Sequence, residues 1–463
     1  MRTRLTVVAA GLALLAATAS GQPRQVDLIV RNAIVVTMDA SSRVLPRGAV
    51  VIDAGRIVAV EAADAVAARY VATDTIEADG QVALPGLINT HTHAPMVLYR
   101  GLADDLALME WLEKYIFPAE AKTVTPEFVR VGTRLAALEM IQSGTTTYAD
   151  MYYFEEEIAR VTRDAGLRGV LGQTIIRFPV ADARTPAEGL ARTEAFLKEF
   201  AGDQLITAAV APHAMYTLDP GTLKAARAMA DRHRAPVIIH LAETADELKA
   251  SQRDHKLSPT RYLESLGFWG PRTLAAHAVW LDEEDISLLA SRKVGVSHNP
   301  ESNMKLASGT AKVPAMRAAG IPVGLGTDGA ASNNDLDMFE SMRQAALLHK
   351  LTTGDPRAVP APVALAMATI EGARALQMQD EIGSLEPGKR ADVITVSMRG
   401  ARQTPMYDPV SHLVYVTRGD DVQTTIVNGR VLMRNRKVLT LDEAAVIREA
   451  NTHADTVRAT VGK

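Results

Sequence analysis

Apolar and polar positions along the chain fall into two textures. From Val26 to about Leu84, short runs rich in valine and isoleucine (DLIVRNAIVVTM, GAVVIDAGRIVAVE, QVALPG) are broken by turn residues, which predicts strands of a small sheet. The texture returns beyond about Ser384 in GSLEPGKRADVITVS and QTTIVNGRVLMRNRKVL, so both chain ends are expected to build one β-sandwich. Between them, apolar strand-like runs alternate with helix-periodic stretches such as PEFVRVGTRLAALEMIQSG. The strand ends read LINTHTH, TTTYADM, GVLGQTII, ITAAVAPH, PVIIHLAE, TLAAHAVW, VGVSHNP and PVGLGTD. About eight such units predict an α/β chain with a TIM (β/α)8 barrel. The expected divisions are 25–84 and 385–441 for the sandwich, 85–384 for the barrel and 442–463 for a charged C-terminal helix packed on the outside.

The first residues differ. Arg2 and Arg4 precede the apolar run Leu5 to Ala17 and an A-x-A at Ala17 to Ala19, the layout of a signal peptide over 1–19. The run is shorter than the roughly 20 apolar residues of a membrane span. The expectation is export to the periplasm or medium, with no stable membrane anchor after cleavage. The chain has no cysteine, which excludes disulfides, a lipidated cysteine and thiolate metal sites. Its 463 residues carry 50 lysines and arginines against 54 acids, so nothing points to nucleic acid or an anionic membrane. A small-molecule substrate is the expected partner, and a homo-oligomer stays open.

Most predicted strands stop on His, Asp or Glu, and catalytic residues of such barrels lie at the carboxyl ends of the strands. His91 and His93 end the first, His240 the fifth and Asp328 the eighth. Three imidazoles and a carboxylate facing one mouth suit a single divalent metal, Zn(II) first, with Fe(II) and Mn(II) also suited.

PGLINTHTHAPM, HLAE, AAHAVW, SHNPESNMKL and GTDGAASNN resemble the amidohydrolase superfamily. They are most similar to its S-adenosylhomocysteine/5-methylthioadenosine deaminase group, near guanine deaminases and s-triazine chlorohydrolases. The resemblance implies one metal on His91, His93, His240 and Asp328. It implies that Glu243 carries a proton from the attacking water to a ring nitrogen and then helps ammonia leave. His277 would hold the hydroxide or the developing oxyanion, and Asp328 would accept the remaining proton. Glu120 matches a position that grips ribose hydroxyls, and His213 one beside the substrate. Trp111 is a candidate pocket wall. Gln173 falls where some members place an arginine for the homocysteine carboxylate, a role Arg177 or Arg184 could take over. His298 belongs to the signature and is not read as a ligand.

The expected activity is deamination of an adenine nucleoside: 5-methylthioadenosine, S-adenosylhomocysteine or adenosine. The alternatives are hydrolysis of another aminated or chlorinated heterocycle, such as guanine, a pterin or an s-triazine, and a binding barrel without chemistry. Against the last, all four metal positions and Glu243 are present.

Overall fold

The structure, a computed structural model, describes residues 22–461. The expected signal segment, 1–19, lies outside the described residues. Eight parallel strands pair in sequence order: Leu87–Thr92, Thr145–Tyr152, Arg168–Ile175, Ile206–Pro212, Val237–Leu241, Thr273–His277, Gly295–His298 and Val323–Leu325. Thr90 Oγ1 donates to Leu325 O at 2.8 Å and Asp328 N to His91 O at 2.9 Å, so the barrel is nearly closed. Helices cover the outside and side chains fill the inside, which is why strands such as Leu87–Thr92, Thr145–Tyr152, Arg168–Ile175 and Val237–Leu241 are buried at every position instead of alternating between buried and exposed. Ile88, Val170, Ala209, Ile238 and Leu274 pack with Ala373 of helix Ile370–Ala375, which lies against the barrel. A Cβ at Gly295 would stand 2.3 Å from Ala375 O, so only glycine admits that helix so closely.

One helix shows how the sequence punctuates the units. Thr125 Oγ1 accepts Phe128 N–H and Pro126 follows it, starting helix Pro126–Ser143; Gly144 ends the helix in the left-handed region at φ 88°. The second barrel strand begins at the next residue.

Both chain ends join in one nine-stranded, mostly antiparallel sheet. The seam pairs Gln81–Pro85 with Val393–Ser397, from Gln81 opposite Ser397 to Pro85 opposite Val393. The strand Arg24–Val36 passes from Tyr70–Glu77 as partner to Gln81–Pro85, with register shifts near Ala33 against its other neighbour. That bends it and wraps the sheet around Val30, Val50, Ile57, Leu385, Val393 and Ile426, drawn from both ends. Arg168, at the start of the third barrel strand, meets Asp392 beside the seam through two hydrogen bonds of 3.0 and 3.1 Å, both side chains 4% exposed. The C-terminal helix Glu443–Val461 lies outside, against Pro126–Ser143, with Glu449 accepting from Arg134 at 2.5 Å.

Candidate active site

The carboxyl ends of the strands bring His91, His93, His240, His277 and Asp328 together. Asp328 Oδ1 lies 3.5 Å from His91 Nε2 and 3.3 Å from His93 Nε2, and the His91 ring centroid is 5.0 Å from that of His240. Four ligands about 2.0–2.1 Å from a tetrahedral zinc stand about 3.3–3.4 Å apart, so these separations already suit one ion. The rings are also presented correctly. His93 Nδ1 contacts Met151 O at 2.6 Å and His240 Nδ1 contacts His213 O at 2.9 Å, so each Nδ1 gives its proton to a carbonyl and each Nε2 is turned to the cluster, the atom a metal would take.

His91 shows that the residues present suit a metal. It is fully buried, and neither ring nitrogen has a hydrogen-bond partner. Orphaned polar atoms of this kind are costly, and a metal resolves one of them. Burial pulls His91 down to about 4, keeping a neutral imidazole able to ligate. Burial acts on His93 too, but the Asp328 carboxylate outweighs it and lifts the ring to about 9, so metal binding there displaces a proton. Asp328 and His277 sit at φ 67° and 70°, a conformation that costs a non-glycine residue energy and that aims both side chains inward. Ser302 Oγ and the Gly329 N–H each hold one oxygen of Asp328, at 2.7 and 2.8 Å.

Glu243 and His277 face one another, Oε2 to Nε2, at 3.8 Å, and His277 Nε2 is 3.9 Å from Asp328 Oδ2. Burial raises the Glu243 carboxyl, a direction that would suit proton transfer near neutral pH. His277 donates through Nδ1 to Asn303 Oδ1 at 2.9 Å, which points Nε2 at the cluster.

The cluster floors a pocket of about 610 Å3, part of it open to solvent. Trp111, Glu120 and His213 line it, as do Tyr152, Tyr153 and the apolar Met96, Leu112 and Phe117. Trp111 and Glu120 come from short helical turns, Leu108–Trp111 and Phe117–Thr123, joined by a wider π-type turn. Glu120 Oε1 accepts from Tyr152 Oη at 2.7 Å, and burial pushes its carboxyl up to about 7. His213 is pulled down to about 3 by burial and is neutral.

Two residues expected at the substrate lie elsewhere. Gln173 turns away from the pocket, because its strand neighbour Thr174 faces in and successive side chains point to opposite faces. Its amide donates to Asp182 at 2.8 Å and its carbonyl accepts from Glu155 N at 3.3 Å. Arg184 is exposed just before helix Pro186–Glu199, its backbone N–H on Glu188. Arg177 is exposed as well, and His298 packs Nε2 to Nε2 at 3.1 Å against His349, away from the cluster.

Sequence reasoning missed the supports. Asp150 accepts from Thr92 Oγ1 and Ala94 N, bracketing His93. Glu247 accepts from the backbone N–H groups of Ala242 and Glu243, and a Thr244-x-x-Glu247 pattern, a helix-start signature, marks it.

A barrel with this cluster at its mouth and a sheet built from both termini defines a class of hydrolase. The amidohydrolase family model matches residues 82–432, and the chain belongs to that family. It is 48% identical over 432 residues to a 5-methylthioadenosine/S-adenosylhomocysteine deaminase of Syntrophobacter fumaroxidans, covering 93% of this chain and 98% of the relative. It is 47% identical over 436 residues to a 5'-deoxyadenosine deaminase of Methanosarcina acetivorans, with 93% and 98% covered. Among solved structures, an adenosine deaminase from Xanthomonas campestris with bound zinc superimposes with a TM-score of 0.93 at 39% identity, covering 94% of this chain and all of that one.

Proposed function

We propose that the protein hydrolytically deaminates adenine nucleosides whose 5' substituent is uncharged. The names of its relatives support adenine nucleoside deamination. One observation carries the finer reading: among the described residues lining the pocket there is no lysine or arginine, while Leu108, Trp111, Leu112, Ile116 and Phe117 supply an apolar wall. A 5'-methylthio or 5'-deoxy group fits such a wall. A homocysteine carboxylate would be buried there without a cation, a costly arrangement.

His91, His93, His240 and Asp328 would hold the divalent ion, zinc by this donor set. When bound it supplies Lewis acidity, enough to lower a water's pKa from about 15.7 to about 7. The chain's own groups do the rest. Glu243 takes one proton from the attacking water and delivers it to the purine nitrogen beside the reacting carbon as the oxygen adds there; the second proton, left on that oxygen, passes through Asp328 and Glu243 to the amino group, so that ammonia leaves as the C–N bond breaks and the carbonyl forms. His277 Nε2 and Asp328, either side of the attack, hold the incoming oxygen. Glu120 accepts from the ribose diol, a task for which a carboxylate is suited.

The test is kcat/KM, read by ammonia release, for 5'-deoxyadenosine, 5'-methylthioadenosine, adenosine and S-adenosylhomocysteine. A missing charge-assisted hydrogen bond is worth roughly 1.5–3 kcal/mol, so the first two should exceed the last by roughly 10- to 100-fold. A preference for S-adenosylhomocysteine would overturn the 5' reading. Turnover of a triazine, guanine or pterin with none of any nucleoside would overturn the nucleoside reading. Export belongs to the same proposal and rests on Arg2, Arg4 and the apolar run behind them: the mature chain should begin near Ser20, and an intact Met1 on cytoplasmic protein from the native cell would exclude it.

A further inference from the structure

Glu243 stands on a turn that does not hold itself. Strand Val237–Leu241 ends one residue before Ala242, whose φ of 47° lies in the left-handed region that a non-glycine residue occupies only when its surroundings impose it. On one side the loop after the sixth strand imposes it: Val279 N–H and Trp280 N–H both donate to Ala242 O, at 3.2 and 2.9 Å. On the other side stands Glu247, 8% exposed. Its Oε1 accepts from Ala242 N–H at 3.0 Å and its Oε2 from Glu243 N–H at 2.9 Å, so one carboxylate spans two consecutive peptide groups.

The way Glu247 reaches them is specific. Thr244 caps helix Ala245–His255 and accepts Glu247 N–H at 3.2 Å, half of the reciprocal pattern in which the third helical residue normally bonds back to the cap. Here the Glu247 side chain passes the cap and grips the two residues before it. A carboxylate has two acceptor oxygens and no donor, whereas an amide would turn an N–H towards one of the two peptide N–H groups. Aspartate is one methylene shorter. Burial lifts the Glu247 carboxyl to about 7, while the two peptide N–H groups it accepts from and the helix N-terminus favour its charged form.

We propose that Glu247 is a positioning residue for the reaction: its carboxylate clamps the Ala242–Glu243 turn and thereby fixes the Glu243 carboxylate opposite His277. The inference rests on Glu243 as the proton carrier proposed above. It predicts an effect on turnover that passes through Glu243 and leaves the metal donors alone, since His240 lies on the regular strand and is held by the His213 carbonyl.

Two measurements test it. The first needs no substrate: hydrogen exchange at the Ala242 and Glu243 amides should be at least about tenfold faster in Glu247→Gln than in wild type, with protection of the other barrel strands unchanged. Equal protection would overturn the clamp. The second compares wild type, Glu247→Gln, Glu243→Gln and the double variant for bound metal, kcat and KM. Glu247→Gln should keep its metal, change KM less than about threefold and lower kcat by roughly 10- to 100-fold, and it should do little more when Glu243 is already Gln, because residues acting as a unit are non-additive. An equal kcat loss in both backgrounds, or loss of metal in step with activity, would overturn the positioning role. If wild type turned over no adenine nucleoside, the proposed function would fall while amide exchange still decided the clamp, and the kinetic cycle would then use whichever heterocycle releases ammonia. Should Glu247→Gln misfold, Glu247→Asp keeps the charge and shortens the reach, and the same non-additivity is expected of it.

Discussion

His91 is the residue on which the metal reading turns. Buried, without a hydrogen bond at either nitrogen and with only the Asp328 carboxylate 3.5 Å from Nε2, it has little structural reason to be histidine. His91→Ala should therefore lose most bound metal and activity together while the barrel still folds, checked by metal analysis of the purified protein; full occupancy would remove His91 from the ligand set. Glu120 gives a prediction in pH. Burial raises its carboxyl from 4.5 to about 7, so the folded state holds its proton longer than the unfolded chain does. This group's stabilising contribution is complete below pH 4.5, declines as pH rises to 7, and beyond that the buried charge costs at most about 3 kcal/mol. Glu120→Gln does not titrate. Its melting temperature should exceed that of wild type by roughly 2–3 °C at pH 8, with the gap closing by pH 4, and a gap independent of pH would refute the cause.

At the scale of elements, helix Pro126–Ser143 supports the turn that follows the two histidines. A Cβ on Gly132 would come within 2.6 Å of Pro95 O and 2.8 Å of Pro95 Cα, in the turn Ala94–Tyr99. Gly to Ala inside a helix ordinarily stabilises by about 1 kcal/mol. Here Gly132→Ala should instead destabilise by about 1–3 kcal/mol and weaken metal binding, because Pro95 lies two residues past His93. Calorimetry and metal titration of the variant check both signs. Strands such as Ile206–Pro212 and Val237–Leu241 were legible as apolar runs, the Thr-rich Thr145–Tyr152 by its place between helices, and the endings on His91, His93, His240 and Asp328 stood out against that background. Gln173 was not. Which way a strand residue faces depends on register, and a one-residue difference moves Thr174 in and Gln173 out. Nor was the reach of Glu247: spacing marks a cap, but in the fold the side chain bypasses it. The short turns carrying Trp111 and Glu120 have no long periodicity to read.

For the whole molecule, Arg168 and Asp392 join barrel and sheet. Asp392 also accepts the Asn428 N–H at 2.7 Å, so its loss strands a buried guanidinium and a peptide group together. Asp392→Ala should cost about 3–5 kcal/mol in denaturant unfolding, and replacing both partners by apolar residues should recover much of it. A loss below about 1 kcal/mol would mean that the pair is dispensable.

The seam between Gln81–Pro85 and Val393–Ser397 has a consequence in time. Its two strands lie roughly 300 residues apart in the chain. At about 5–20 residues per second, a ribosome needs roughly 15–60 s to deliver the second after the first. Through that interval the early strands present an open edge, the kind that recruits other chains, and no amount of local folding can close it. Until the second strand arrives the chain is a sheet with one side unfinished, so its exposure to other chains is set by the rate of synthesis and not by the stability of the parts already made.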